Sequence, residues 1–194
     1  MPLIQRDSLM TLEAYAKARK EFRARVLVHK KARTVHLGEH MTLIFEDELT
    51  LRYQIQEMLR IEKAFEEDAI QDELDVYNPL VPDGSNWKAT MLLEYEDIEA
   101  RRAALMQLKG VEDRVWVAVE GCAKVWAIAD EDLPRENEVK TSAVHFLRFE
   151  LAPDMAVALK GGAALAIGVD HPAYQADISP VDPATRFALV ADLA

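Results

Sequence analysis

Apolar residues three and four positions apart open the chain: Leu12, Tyr15, Ala18, Phe22 and Val26 trace the stripe of an amphipathic helix, with Thr11 in place to cap it. Residues 41–45 are a short β-prone run. The acidic residues Glu46, Asp47 and Glu48 that follow favour a helix start, and Leu51, Ile55, Met58 and Leu59 carry that second helix. Ile70, Leu74 and Tyr77 mark a third, which stops near Asn78-Pro79 because proline disfavours helical geometry in the residue before it. Residues 82–85 form a turn.

The second half is richer in strands. Residues 87–95 read as a strand, and residues 98–108 as a helix closed at Gly110. Residues 115–119 and 123–128 read as a hairpin turning at Glu120-Gly121. Residues 143–151 are apolar on both alternating faces, which predicts a central strand. A short helix ends at Lys160 before the Gly161-Gly162 pair, residues 165–169 form a further strand, and residues 183–193 form a terminal helix. Helices concentrated in the N-terminal half and the lack of regular βαβ alternation predict an α+β fold with a mainly antiparallel sheet, as a single domain over 1–194.

Composition narrows the function classes. The chain has 194 residues, 50% hydrophobic and 29% charged, which excludes a disordered or low-complexity polymer. One cysteine, Cys122, cannot form an intrachain disulfide and cannot by itself hold an iron–sulfur cluster. Charges interrupt the N-terminal segment at Arg6, Asp7 and Glu13, so it does not read as a signal peptide. Residues 155–169 are too short and too interrupted to span a bilayer. The expectation is a cytoplasmic, membrane-free protein.

The net charge of −11 hides a segregation. Residues 17–33 carry eight bases and one acid, +7, leaving −18 for the rest; residues 46–75 carry eleven acids and three bases, −8. The basic first helix and the acidic second and third helices can pair within one chain, across a homodimer or with separate partners. Nucleic acid ranks last among those partners, because the acidic surroundings repel phosphates.

Candidate chemistry is sparse. His36-Leu37-Gly38-Glu39-His40 spells an inverted zinc-protease pattern, yet Gly38 sits between two β-prone runs, and in an extended strand the two histidines lie roughly 13 Å apart, too far to share one ion. The expectation is a turn into a strand, with no metal and no cofactor. Asp170 and His171 end a strand, where the default reading is a turn with His171 exposed. His145 reads as a satisfied core histidine, with Arg148 on the opposite strand face. Arg52, Gln56 and Arg60 recur every four residues as a polar ridge able to grip a carboxylate or phosphate, or to pair with Glu48 and Glu57. Together Arg52, Gln56, Arg60, His145, Arg148, Asp170 and His171 are the ligand-binding candidates, and their convergence in one pocket would favour a small-molecule-binding protein or enzyme. Cys122 could serve as a nucleophile only beside His145 or His171. No dinucleotide fingerprint, P-loop, nucleophile elbow or paired C-x-x-C occurs.

Four passages, residues 51–59, 73–80, 142–149 and 170–174, resemble the bacterial domain-of-unknown-function family three-five-zero-one. The resemblance carries no catalytic residue. It implies a neighbourhood of rubrerythrin and an iron–sulfur oxidoreductase, hence a redox or peroxide-stress setting in which this chain is an accessory or binding protein without its own redox centre.

Overall fold

The computed structural model describes residues 3–132 and 134–194. Helix α1 (Leu12–Lys31) starts at Thr11, whose hydroxyl accepts the Ala14 N–H at 3.2 Å, and buries only Tyr15, Phe22 and Val26. Strands β1 (Thr34–Leu37) and β2 (Met41–Phe45) follow as a hairpin. Helix α2 (Glu48–Glu62) opens with a reciprocal cap: Asp47 Oδ1 accepts the Thr50 N–H, and Thr50 Oγ1 accepts the Asp47 N–H. It ends at Lys63, which takes the left-handed conformation. Helix α3 (Glu67–Tyr77) runs into a 3-10 turn, Asn78–Leu80, where Pro79 stops it.

The remaining elements are β3 (Asn86–Leu93), α4 (Ile98–Gln107), β4 (Val115–Val119), β5 (Val125–Trp126), β6 (Ile128–Ala129), β7 (Val144–Glu150), α5 (Pro153–Lys160), β8 (Leu165–His171), β9 (Tyr174–Ile178) and α6 (Pro183–Val190). Two antiparallel sheets form, β1-β2-β3-β7-β6 and β5-β4-β8-β9. The α+β class holds. The helices are less concentrated than expected, since α4, α5 and α6 all begin after residue 97.

The sheets close on each other like a flattened barrel. At one seam the chain pairs with β4 through β5 and with β7 through β6, and between them Ala127 N–H donates to Val115 O. At the other, the Tyr174 hydroxyl donates to Leu37 O at 2.6 Å and accepts the His40 N–H at 3.0 Å. Inward-facing residues of both sheets, among them Leu43, Trp87, Phe149, Val117 and Ile167, fill one core. On the outward face of the second sheet, Gly168 makes room for the neighbouring Trp116: a Cβ there would lie 2.4 Å from the Trp116 ring and 2.9 Å from Asp177 Cβ.

Helices α1 to α3 lie outside the barrel. Their cohesion is partly apolar, through Leu51, Ile55, Leu59, Ile70 and Leu74. It is also ionic: Glu57 on α2 receives both Arg19 Nε at 2.7 Å and the Tyr15 hydroxyl at 2.6 Å from α1. Those bonds, Arg19 first, hold the Glu57 carboxyl down at about 2. Strand alternation then sets up the groove described next. Phe45, Trp87, Ala89, Leu147 and Phe149 point into the barrel, so Ile44, Lys88, Thr90, Phe146 and Arg148 face out.

Candidate functional site

On the outward face of the first sheet, Ile44, Thr90 and Phe146 stand side by side in register, and Thr42, Leu92 and Val144 form the next rung. Helix α2 and the end of α3 cover this face incompletely. An inner cavity of about 280 Å³ lies between Ile44, Thr90 and Phe146 on the sheet and Thr50, Leu51 and Tyr77 on the helices. An outer cavity of about 410 Å³ adjoins it, sharing Leu80 and Phe146, and opens past Pro79, Lys88, Leu147 and Arg148. Apolar walls with a few convergent polar groups are the usual make-up of a small-molecule site.

Both cavities carry charged groups: Lys30 and Glu46 line the inner one, and Lys88, Glu131, Asp132 and Arg148 the outer one. In the inner one, Glu46 is 8% exposed and accepts Thr50 Oγ1 at 2.5 Å and Thr90 Oγ1 at 2.7 Å, one on each carboxylate oxygen. Nearby Tyr77 has its hydroxyl pKa raised by burial. In the outer cavity, Lys88 Nζ donates to the Pro79 and Val81 carbonyls at 2.5 and 3.2 Å. No carboxylate among the described residues lies within ion-pair distance of it. Burial lowers the Lys88 pKa below 10.5, and Arg148 acts in the same direction, against Asp83, Glu131 and Glu150. Arg148, by contrast, is neutralised: Glu131 grips its Nε and Nη2 at 2.8 and 2.9 Å, and Glu150 its Nη1 at 2.5 Å. Among the described residues, Lys88 is therefore the cation of the outer cavity that no carboxylate pairs.

Of the seven residues singled out from sequence, only Arg148 lines this groove. Arg52 pairs with Glu48 and Arg60 with Glu57 on their own helix. Gln56 is fully buried instead of exposed on a ridge, its amide bracketing the Met10 backbone at 2.7 and 3.3 Å. Asp170 lies on β8, its carbonyl accepting Arg114 Nε. His171 is buried rather than exposed, since β8 continues through it and Pro172-Ala173 turn directly into β9; its ring bonds Lys109 O and the Ala173 N–H. The seven thus do not converge: three lie on α2, two on β7 and two at the end of β8.

His36 and His40 also stay apart. His36 is on β1 with its ring 3.1 Å from Thr42 Oγ1, whereas His40 follows the Gly38 turn and stacks on Tyr95 at 4.0 Å. Cys122 sits half-buried in the turn after β4, bonded through its N–H to Val119 O. The histidine and carboxylates with metal-ligand spacing are elsewhere. Glu112, Asp130 and His145 each offer an atom within 4.8 Å of the others, at the end of the barrel core, where Thr141 joins them. Sequence reasoning missed Lys88 and Glu46. The available signal was that Lys88, Thr90 and Leu92 share one strand face, so an isolated base stood in an otherwise uncharged row.

Comparison with known proteins agrees with the resemblance seen in the sequence. No curated protein matches. A crystal structure of a novel protein of unknown function from Burkholderia pseudomallei is 58% identical, covers 100% of both chains and superposes with a TM-score of 0.94. The family model described as protein of unknown function (DUF3501) matches residues 3–193, so the chain belongs to that family.

Proposed function

We propose that this protein binds a small organic anion with an apolar body, the anionic group at Lys88 and the body along Pro79, Leu80 and Phe146. The observation that carries this reading is the half-buried Lys88 ammonium, which has carbonyl partners but no carboxylate, in a cavity of about 410 Å³. A ligand carboxylate or phosphate there would complete a charge-assisted bond worth about 1.5–3 kcal/mol. Titration with short- and medium-chain carboxylates and phosphate monoesters, followed by amide NMR, is expected to shift Phe146, Leu147 and Lys88. Lys88→Met is expected to weaken the best ligand roughly 10–100-fold. Affinity should fall as pH rises through the lowered Lys88 pKa, at a lower pH than for an ordinary lysine, because the ammonium is lost there. A panel with no binder, or equal affinity in Lys88→Met, would defeat the reading.

We propose further that the protein acts as an accessory to others. The surface of α1 supports this: Lys20, Arg23, Arg25 and Lys31 are exposed and make no ion pair among the described residues, next to Leu27 and Val28, 46% and 68% exposed. Such a face suits an acidic partner protein. The family resemblance suggests rubrerythrin or an iron–sulfur oxidoreductase in a peroxide-stress setting as that partner, and the sequence features suggest a cytoplasmic location. No helix among the described residues is long and apolar enough to cross a membrane. Purification of the tagged chain at low salt is expected to retain a partner that high salt and Arg23→Glu release; retention that ignores both would remove α1 as the contact.

A further inference from the structure

We propose that His145, Glu112 and Thr141 form a binding site for one divalent first-row transition-metal ion, with Asp130 orienting the imidazole from its other side. The site lies inside the barrel end, on the opposite face of β7 from the groove, and is independent of the ligand reading. Its members come from separate segments: the 3-10 turn before β4 supplies Glu112, the residue after β6 supplies Asp130, the approach to β7 supplies Thr141, and β7 itself supplies His145.

The hydrogen-bond pattern carries the argument. Asp130 Oδ2 is 2.6 Å from His145 Nδ1, and Asp130 Oδ1 accepts the Phe146 N–H at 3.0 Å, so the carboxylate is fixed and the ring proton belongs on Nδ1. That leaves a lone pair on Nε2. Around it stand three oxygens: Thr141 Oγ1 at 3.0 Å, the Ser142 carbonyl at 3.1 Å and Glu112 Oε2 at 3.9 Å. Only Thr141 has a hydroxyl proton to offer, and it also lies 3.3 Å from Glu112 Oε2. Acceptors outnumber donors, and the shell calls for positive charge.

Burial sharpens that demand. His145, Thr141 and Glu112 are 0%, 1% and 6% exposed. Asp130 has a guanidinium nearby, Arg135 Nε at 3.3 Å, but Glu112 has no basic partner among the described residues except the His145 ring. A buried carboxylate with one long hydroxyl contact and its own backbone N–H for partners is costly, and either a proton or a cation relieves it. The geometry suits a cation. Metal bonds of roughly 2.0–2.2 Å to nitrogen and oxygen together span about 4 Å, so one ion can bridge the 3.9 Å between Nε2 and Oε2. A donor set of one imidazole with carboxylate, hydroxyl and carbonyl oxygens, and no thiolate, selects zinc, iron(II) or manganese(II) over soft ions. The Asp130–His145–metal arrangement is the usual second-layer support for a ligating histidine.

The test uses the full chain stripped with chelator and titrated with Zn²⁺ and with Co²⁺ as a spectroscopic probe. One equivalent is expected to bind, raise Tm and move the His145 Nε2 nitrogen resonance. Asp130→Asn should weaken the ion about 10–100-fold, and Glu112→Gln at least about 10-fold, one charged ligand being lost. Absence of stoichiometric binding overturns the proposal, as does unchanged affinity in Glu112→Gln. The nitrogen resonance needs no variant: if the wild-type ring is doubly protonated and indifferent to added metal, a proton supplies the charge and the metal site is refuted.

Discussion

Arg33→Met is expected to lower the unfolding free energy by about 3–5 kcal/mol, among the largest losses of any single substitution in this chain. Arg33 is 4% exposed, and its Nη1 and Nη2 each reach one oxygen of Asp192 at 2.7 Å. Its Nε lies 3.0 Å from Asp47 Oδ2, aligned for Coulombic attraction rather than a hydrogen bond. Asp47 in turn caps α2 and holds His29 Nε2 at 2.5 Å. One guanidinium thus ties the end of α1, the start of α2 and the C-terminal segment together. Burial already pushes the Asp192 pKa up against the pull of Arg33; without the guanidinium the carboxyl loses the charge that keeps it ionised, and Asp47 loses a counter-ion as well. Urea unfolding at neutral pH measures the loss. A change below about 1 kcal/mol would mean that water replaces the guanidinium and that the network is not dry.

That network shows where sequence reasoning reached and where it stopped. Helices α1, α2 and α3 were legible because their apolar stripes repeat at helical spacing and because Thr11 and Asn78-Pro79 punctuate them. The hairpin around Gly121 was legible for the same kind of local reason, but its second strand is only Val125–Trp126, since Ile128 crosses to pair with β7 in the other sheet. Strand β9 was missed: it is a five-residue edge strand, and its partly exposed Tyr174, Ala176 and Ile178 alternate with Gln175 and Asp177 without a strongly apolar face. Arg33 was counted with the basic surface of α1 because its partner is 159 positions away. The candidate site was legible only in its local part. Arg52 and Arg60 were visible as a ridge able to pair with Glu48 and Glu57, as they do, whereas Lys88 gains its character only when α3 and the Asn78–Leu80 turn fold over β3. His145 was correctly read as a satisfied core histidine; that its satisfaction leaves excess acceptors at Nε2 depends on Glu112 and Ser142, which no local motif joins.

Trp87→Ala is expected to cost about 3–5 kcal/mol, or roughly 6–20 °C in Tm for a chain of this size. Trp87 is 1% exposed, meets Phe45 edge-on at 6.2 Å and donates its indole N–H to Leu189 O at 2.8 Å. The alanine variant would therefore leave a cavity beneath α6 and strip the Leu189 carbonyl of its donor. Trp87→Phe keeps most of the volume and loses only that bond, so it should cost about 1–3 kcal/mol. The comparison with the next residue gives the experiment its force. Lys88 projects from the opposite face of β3, so Lys88→Met should abolish most anion affinity while moving Tm little, whereas Trp87→Ala should lower Tm while the folded fraction still binds. Pleating places a core anchor and a ligand anchor one residue apart, so stability and binding should separate between them. If Trp87→Ala instead reduced affinity per folded molecule as much as Lys88→Met does, the groove would depend on the shape of the whole sheet, and the ammonium at position 88 would not be its anchor.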